Sequence, residues 1–245
     1  MAPASLETHA APQESASMWA VLRVRNFRLL WLGEAISMLG DQVYLVALPW
    51  LVLQLSNDPL AMGTVLALAG IPRAIFMLVG GVLTDRYSPR TIMLISNLLR
   101  MMLVGAMAVL IFAGGIGLGM IYGFALIFGL IDAFFWPAAV SIVPQLLPTK
   151  QLQAGNSITQ GTAQLALLVG PLLAGGTIAA LGGEATVVDG VRVSNLTGIG
   201  YAIAFDAVTF FLSAFTLWLI RMPTGTARPH AQPPAKDAVK PNSVL

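Results

Sequence analysis

The sequence has no cysteine and only two histidines, and just 10% of its 245 residues carry a charge. Without cysteine there is no disulfide, no thiolate metal ligand and no thiol nucleophile. His9 and His230 both stand in polar segments near the chain ends. A histidine-based catalytic or metal centre is therefore not expected, nor any cofactor, and an enzyme is the poorest reading. The shortage of charge is the more telling absence, because an average soluble domain is about 25% charged. With 57% hydrophobic residues and a mean hydropathy of +0.80, the chain has too little polar surface to face water on all sides. It reads as an integral membrane protein whose first partner is the lipid bilayer. The net charge of +2 is small. The basic residues sit at the ends of apolar runs rather than in one patch, so no nucleic-acid partner is expected.

What is present is a set of long apolar runs. Six spans are expected, over about 29–53, 59–83, 91–113, 118–143, 152–181 and 199–220. At ~1.5 Å per residue each is ~30–45 Å long, enough for the hydrocarbon core with some tilt. In lipid the backbone must satisfy its own hydrogen bonds, so the spans are helices and the fold class is all-α. Residues 1–28 are expected as a disordered tail, 29–221 as the six-helix transmembrane domain and 222–245, rich in Pro, Ala and Lys, as a second disordered tail. The start of the chain lacks the basic and apolar regions of a signal peptide.

Loop charges give the orientation. Arg23, Arg25, Arg28, Arg86, Arg90, Lys150, Arg221, Arg228, Lys236 and Lys240 fall on one side, and Arg192 on the other. By the positive-inside rule both ends of the chain are cytoplasmic in a plasma (inner) membrane. The last outer loop contains Asn195-Leu196-Thr197, a glycosylation sequon by pattern alone.

Between the second and third spans stands Gly81-Val82-Leu83-Thr84-Asp85-Arg86-Tyr87-Ser88-Pro89-Arg90. A cytoplasmic turn collects arginines in any case, but Gly-x-x-x-Asp-Arg followed by a basic residue four positions on is more specific. Gly81, Asp85, Arg86 and Arg90 resemble the signature of the major facilitator superfamily (MFS) at this place, with departures at Ser88 and Pro89. In the fifth span, Gly170, Pro171, Gly175 and Gly176 resemble the antiporter motif of MFS exporters, with Ala174 in place of one glycine. Ordinary close packing of small residues is the alternative there. Asp41-Gln42, Ala47-Leu48-Pro49-Trp50 and Phe134 to Ala138 resemble the macrolide-efflux and enterobactin-exporter branch.

The resemblance implies the N-terminal six-helix half of an MFS fold, two three-helix repeats, with residues 222–245 similar to the linker between halves. It implies efflux of a small molecule, drug-like or siderophore-like, exchanged for protons, with a second half or a homodimer partner. Asp85 and Arg86 would latch the cytoplasmic side. The fourth span lacks the arginine that many exporters carry. A truncated, non-transporting membrane module or assembly subunit is the rival reading.

Charges inside the spans point to a pathway, because an ionisable group near mid-bilayer costs ~2.5–3.5 kcal/mol and seeks a partner or a cavity. These are Glu34 and Asp41 in the first span, Arg73 in the second, Arg100 in the third, Asp132 in the fourth and Asp206 in the sixth. Glu34 and Asp41 share a helix face. By depth, Asp41 and Arg73 are expected to pair across the first two spans, and Asp41 is the first choice to carry the proton. Glu34 reads equally as an interfacial residue, Asp206 as one wetted near the outer side, and Trp136 with Pro137 as cavity lining or as lipid-facing bulk.

Overall fold

A computed structural model of the chain describes residues 18–182, 186–188, 191–193 and 196–221. Six helices among them are long and apolar enough to cross a membrane. They are α2 (Arg25–Ser56), α3 (Pro59–Arg86), α4 (Pro89–Phe112), α5 (Leu118–Leu146), α6 (Leu152–Leu181) and α7 (Thr197–Leu219), preceded by a short α1 (Met18–Leu22). The segments 1–17 and 222–245, expected as tails, and Asn195 of the sequon lie outside the described residues. One boundary is corrected. The expected tail through residue 28 instead contains α1 and the first turn of α2, because Val21 and Phe27 are fully buried in the apolar core at that end. The connection between α6 and α7 adds an antiparallel hairpin of β1 (Thr186–Val188) and β2 (Val191–Val193), with Val187 opposite Arg192.

The helix ends follow local chemistry. Asn57 closes α2 in the left-handed region at φ 50°, and the Asp58 side chain caps α3 by accepting the Leu60 N–H at 2.8 Å. Pro59 and Pro89 each occupy a first turn, where a missing N–H costs nothing. α4 ends in a Schellman turn: Gly114, at φ 68°, donates to Ile111 O and Gly115 to Leu110 O, both at 3.0 Å.

α3 packs chiefly on α5, α6 on α2, α7 on α2, and α4 on α5 and α7. Exchanging α2, α3 and α4 for α5, α6 and α7 turns these principal pairs into one another, as two three-helix repeats require. The core is split in two. One apolar cluster, from Val43–Val52, Val104–Ile111, Ile121–Phe128 and Ile199–Phe210, fills the half near the hairpin. Another, from Val21, Phe27, Leu30, Met93, Ile142, Leu217 and Ile220, fills the half bearing the basic residues.

Candidate functional site

Between these clusters the core turns polar. α2 contributes Glu34 and Ser37, α4 Ser96, Asn97 and Arg100, α5 Asp132, and α7 Asp206, Thr209 and Ser213, all buried. The spacing is that of one helix face: 34, 37 and 41 on α2, 206, 209 and 213 on α7, so each helix lays its polar groups into the same layer.

The strongest contacts centre on Asp132. Its Oδ1 accepts from the Arg100 guanidinium and its Oδ2 from Arg73 Nη1 at 3.2 Å. One carboxylate therefore bridges two guanidiniums from two other helices. The Arg100 side chain is 1% exposed and that of Arg73 42% exposed, so one cation belongs to the core and the other to an open space. Arg100 is sandwiched among rings, 4.0 Å from the Phe135 centroid and 5.4 Å from that of Phe210. These faces favour a desolvated cation that water cannot reach. Arg73 lies 5.4 Å from the Trp136 ring.

Deeper in the layer, Asn97 donates to Ser213 Oγ at 2.9 Å and Ser213 donates to Glu34 Oε1 at 3.4 Å. Thr209 donates to Asp206 Oδ1 at 3.2 Å. The absence of a side chain on Gly40 makes room for Asp206 and Thr209, and that on Gly33 for Thr216. Asp206 is thus buried between α2 and α7 and is not wetted near the outer surface, because α7 packs on α2 through these glycines. Glu34 is likewise a core residue rather than an interfacial one.

The expected pair of Asp41 with Arg73 is corrected: the ion pair of Arg73 is with Asp132. The reason is packing. α3 lies mainly against α5, although it follows α2 after a turn of only two residues. Asp41 instead lines a cavity of about 380 Å³ together with Arg73, Asp132, Tyr44, Phe128 and Trp136. Asp41 has no side-chain hydrogen bond among the described residues. Trp136 is a wall of this cavity and carries the face on which Arg73 stacks.

The turn between α3 and α4 lies at the basic end. Asp85 and Arg86 are exposed on the last turn of α3, and the place of the absent Gly81 side chain is open. Arg90 is placed differently: its Nε donates to Leu217 O and its Nη2 to Trp218 O, both at 2.8 Å. A guanidinium there adds a donor to the last carbonyls of α7, of which Leu217 O also accepts the Ile220 N–H at 3.2 Å, and meets the negative end of its dipole. In α6, Gly170 abuts Gln42 of α2 and Ala174 is fully buried, whereas Gly175 and Gly176 face open space. The alanine that departs from the motif is buried as Gly170 is, and the two glycines after it are not.

Asn97, Ser37, Thr209, Ser213 and the Phe128–Phe135–Phe210 cage were not foreseen from the sequence. The signal that could have found them is the alignment of small polar residues with Glu34, Arg100 and Asp206 at intervals of three and four.

A six-helix membrane bundle with repeated triplets, a charged mid-layer and a lateral cavity defines the class of a membrane transporter domain. The model of the Major Facilitator Superfamily matches residues 30–245, and the chain belongs to that family, which comprises transporters rather than enzymes. The chain is 34% identical over 155 residues to the multidrug efflux pump Tap of Mycolicibacterium fortuitum, a match covering 60% of this chain and 37% of that protein. It is 21% identical over 198 residues to macrolide efflux protein A of Streptococcus pyogenes, covering 81% of this chain and 45% of the relative. An MFS-type transporter of Bacillus subtilis, YvqJ, is 24% identical over 162 residues, 66% of this chain and 37% of the relative. The matches thus span less than half the length of these relatives.

Proposed function

We propose that residues 29–221 form one six-helix half of a proton-coupled efflux transporter for drug-sized molecules in the plasma membrane, with both ends of the chain cytoplasmic. The carrying observation is the Arg100–Asp132–Arg73 bridge opening on an aromatic cavity that also presents Asp41. A carboxylate without a hydrogen bond, in one cavity with the Arg73–Asp132 ion pair, can take up a proton and release it when the halves rock and that pair rearranges. Tyr44, Phe128 and Trp136 offer flat apolar walls to a ring-containing substrate. The names of Tap and macrolide efflux protein A support export as the direction. Proposed sites are Asp41 for the proton, Arg73, Arg100 and Asp132 for coupling, and Asp85 with Arg86 for the cytoplasmic latch.

The helices α3 and α6 support the second half as partner. Gly63, Gly70 and Gly81 on α3, with Gly161, Gly175 and Gly176 on α6, have nothing near the position of a missing Cβ. Small residues of this kind let another helix approach closely. A homodimer covering the same face is the rival.

The test joins the chain to a compatible second half in liposomes. Dye efflux should follow an inward proton gradient, and Asp41→Asn should lower the coupled rate by about 100-fold or more, the low end of the range for a lost proton-transfer group. Undiminished coupled efflux in that variant would overturn the role of Asp41. No efflux from any folded fusion would favour a non-transporting module. Reporter fusions after Ser56 and Gly115 should read outside and after Ser88 inside, and the reverse would overturn the orientation.

A further inference from the structure

We propose that the basic end of the bundle binds the headgroup of an anionic phospholipid, on the surface formed by α1 and the first turn of α2. The segment is built rather than frayed. Val21 and Phe27 are fully buried and pin it against the ends of α5, α6 and α7. The edge of the Phe27 ring closes on Gly155 of α6. Held this way, the segment turns Trp19 and Met18 outward, at 76% and 57% exposed.

Arg23, Arg25 and Arg28 are exposed on the same segment, and Lys150 and Arg221 are exposed on its neighbours. Asn26 Nδ2 bonds to the carbonyl of Arg221 at 2.8 Å, which sets Arg221 beside α2. No acid occurs in 18–33, 133–182 or 207–221. Among the described residues the carboxylate at this end is Asp85, on the α3–α4 turn.

Depth fits as well. With 32 residues, α2 is ~48 Å long at ~1.5 Å per residue, well beyond a ~30 Å hydrocarbon core. Its basic N-terminal turn therefore stands at headgroup level, and Trp19 lies where an indole prefers to be. A guanidinium group matches a phosphodiester with two parallel hydrogen bonds, and the indole seats beside the glycerol region. Charge, depth and an outward aromatic side chain select an anionic lipid over a soluble polyanion. The inference does not depend on transport activity.

The absence of cysteine allows a direct test. The full chain carrying Ala20→Cys with a fluorophore is reconstituted in phosphatidylcholine vesicles that hold spin-labelled phosphatidylglycerol or spin-labelled phosphatidylcholine. Quenching by the anionic label should be at least about twofold deeper, and the preference should fall by about half or more in Arg23→Gln/Arg25→Gln/Arg28→Gln, in which Lys150 and Arg221 remain. Equal quenching by the two labels in the otherwise unchanged chain, or an undiminished preference in the triple variant, overturns the proposal. If the triple variant does not fold, salt decides: the preference should largely vanish at about 1 M NaCl, and its persistence overturns the proposal. Millimolar inorganic phosphate should leave the preference intact, and its loss would make this surface a free-anion site rather than a lipid site.

Discussion

The helices α3 and α6 differ from the other four spans in burial but not in apolarity. Mean hydropathy is 2.0 and 1.8 for α3 and α6 and runs from 1.5 to 2.0 in the rest. Yet only 11% and 17% of their most apolar stretches are buried within the chain, against 39–50% elsewhere. In lipid, apolarity does not select a helix's neighbours, since acyl chains are as apolar as leucine. What separates the two groups is where polar groups and close-packed small residues lie. Glu34, Arg100, Asp132 and Asp206 all belong to the buried four. α3 reaches that layer with Arg73, and α6 supplies none of its charges.

The sharpest way to break this comparison is at the bridge. Asp132→Asn leaves Arg100 fully buried, with Asp41, Glu34 and Asp206 attracting it only at longer range. Removing one partner of a buried pair costs about 3–5 kcal/mol, and these remaining acids place the expected loss near the lower end. Thermal unfolding in detergent should show a large drop. Thr177→Ala, on exposed α6, removes a hydroxyl bonded only to Leu173 O and should change stability by no more than about 0.5 kcal/mol. Equal effects of the two changes would erase the distinction between the groups.

Glycine gives a second, smaller contrast within one helix pair. A side chain at Gly129 of α5 would run into the Ala69 backbone of α3, whereas one at Gly70 of α3 meets open space. Gly129→Val should therefore cost about 1–3 kcal/mol or more by overpacking, and Gly70→Val should leave the fold intact. In a protein joined to a second half, Gly70→Val should instead lower transport, through crowding of the cavity and of the uncovered face. A Gly129→Val protein as stable as the parent would show that α3 and α5 can separate without cost.

The sequence carried the six spans closely, because length and apolarity are set by the bilayer. It also pointed to every charged residue of the polar layer, because a charge in lipid is conspicuous. It could not pair them. Asp41 and Arg73 match in depth, but depth ignores azimuth, and α3 turns toward α5. The cage of Phe128, Phe135 and Phe210 was hidden for a related reason: among eleven phenylalanines, nothing local marks the three that surround a cation. α1 was missed because five residues are too few for periodicity to emerge. The packing of Val21 and Phe27 holds it.

The smallest effect on the fold is expected at the turn between α3 and α4, where α3 emerges from the bundle. Asp85 is exposed, and an exposed ion pair contributes only ~0–1 kcal/mol. Arg90, a few residues on, anchors the turn independently through the two carbonyls at the end of α7. Asp85→Asn keeps size and removes charge, so membrane yield and unfolding temperature should stay near those of the parent. Joined to a second half, the same variant should transport poorly, because a neutral amide meets the positive N-terminus of a partner helix more weakly than a carboxylate does. Both readouts are needed together. Normal yield with lost transport places Asp85 at the junction between halves. Lost yield with normal specific activity would make it a folding clip of this half, so that α3 at its exposed end would serve the same purpose as the buried helices, and the contrast between the two groups would fail there.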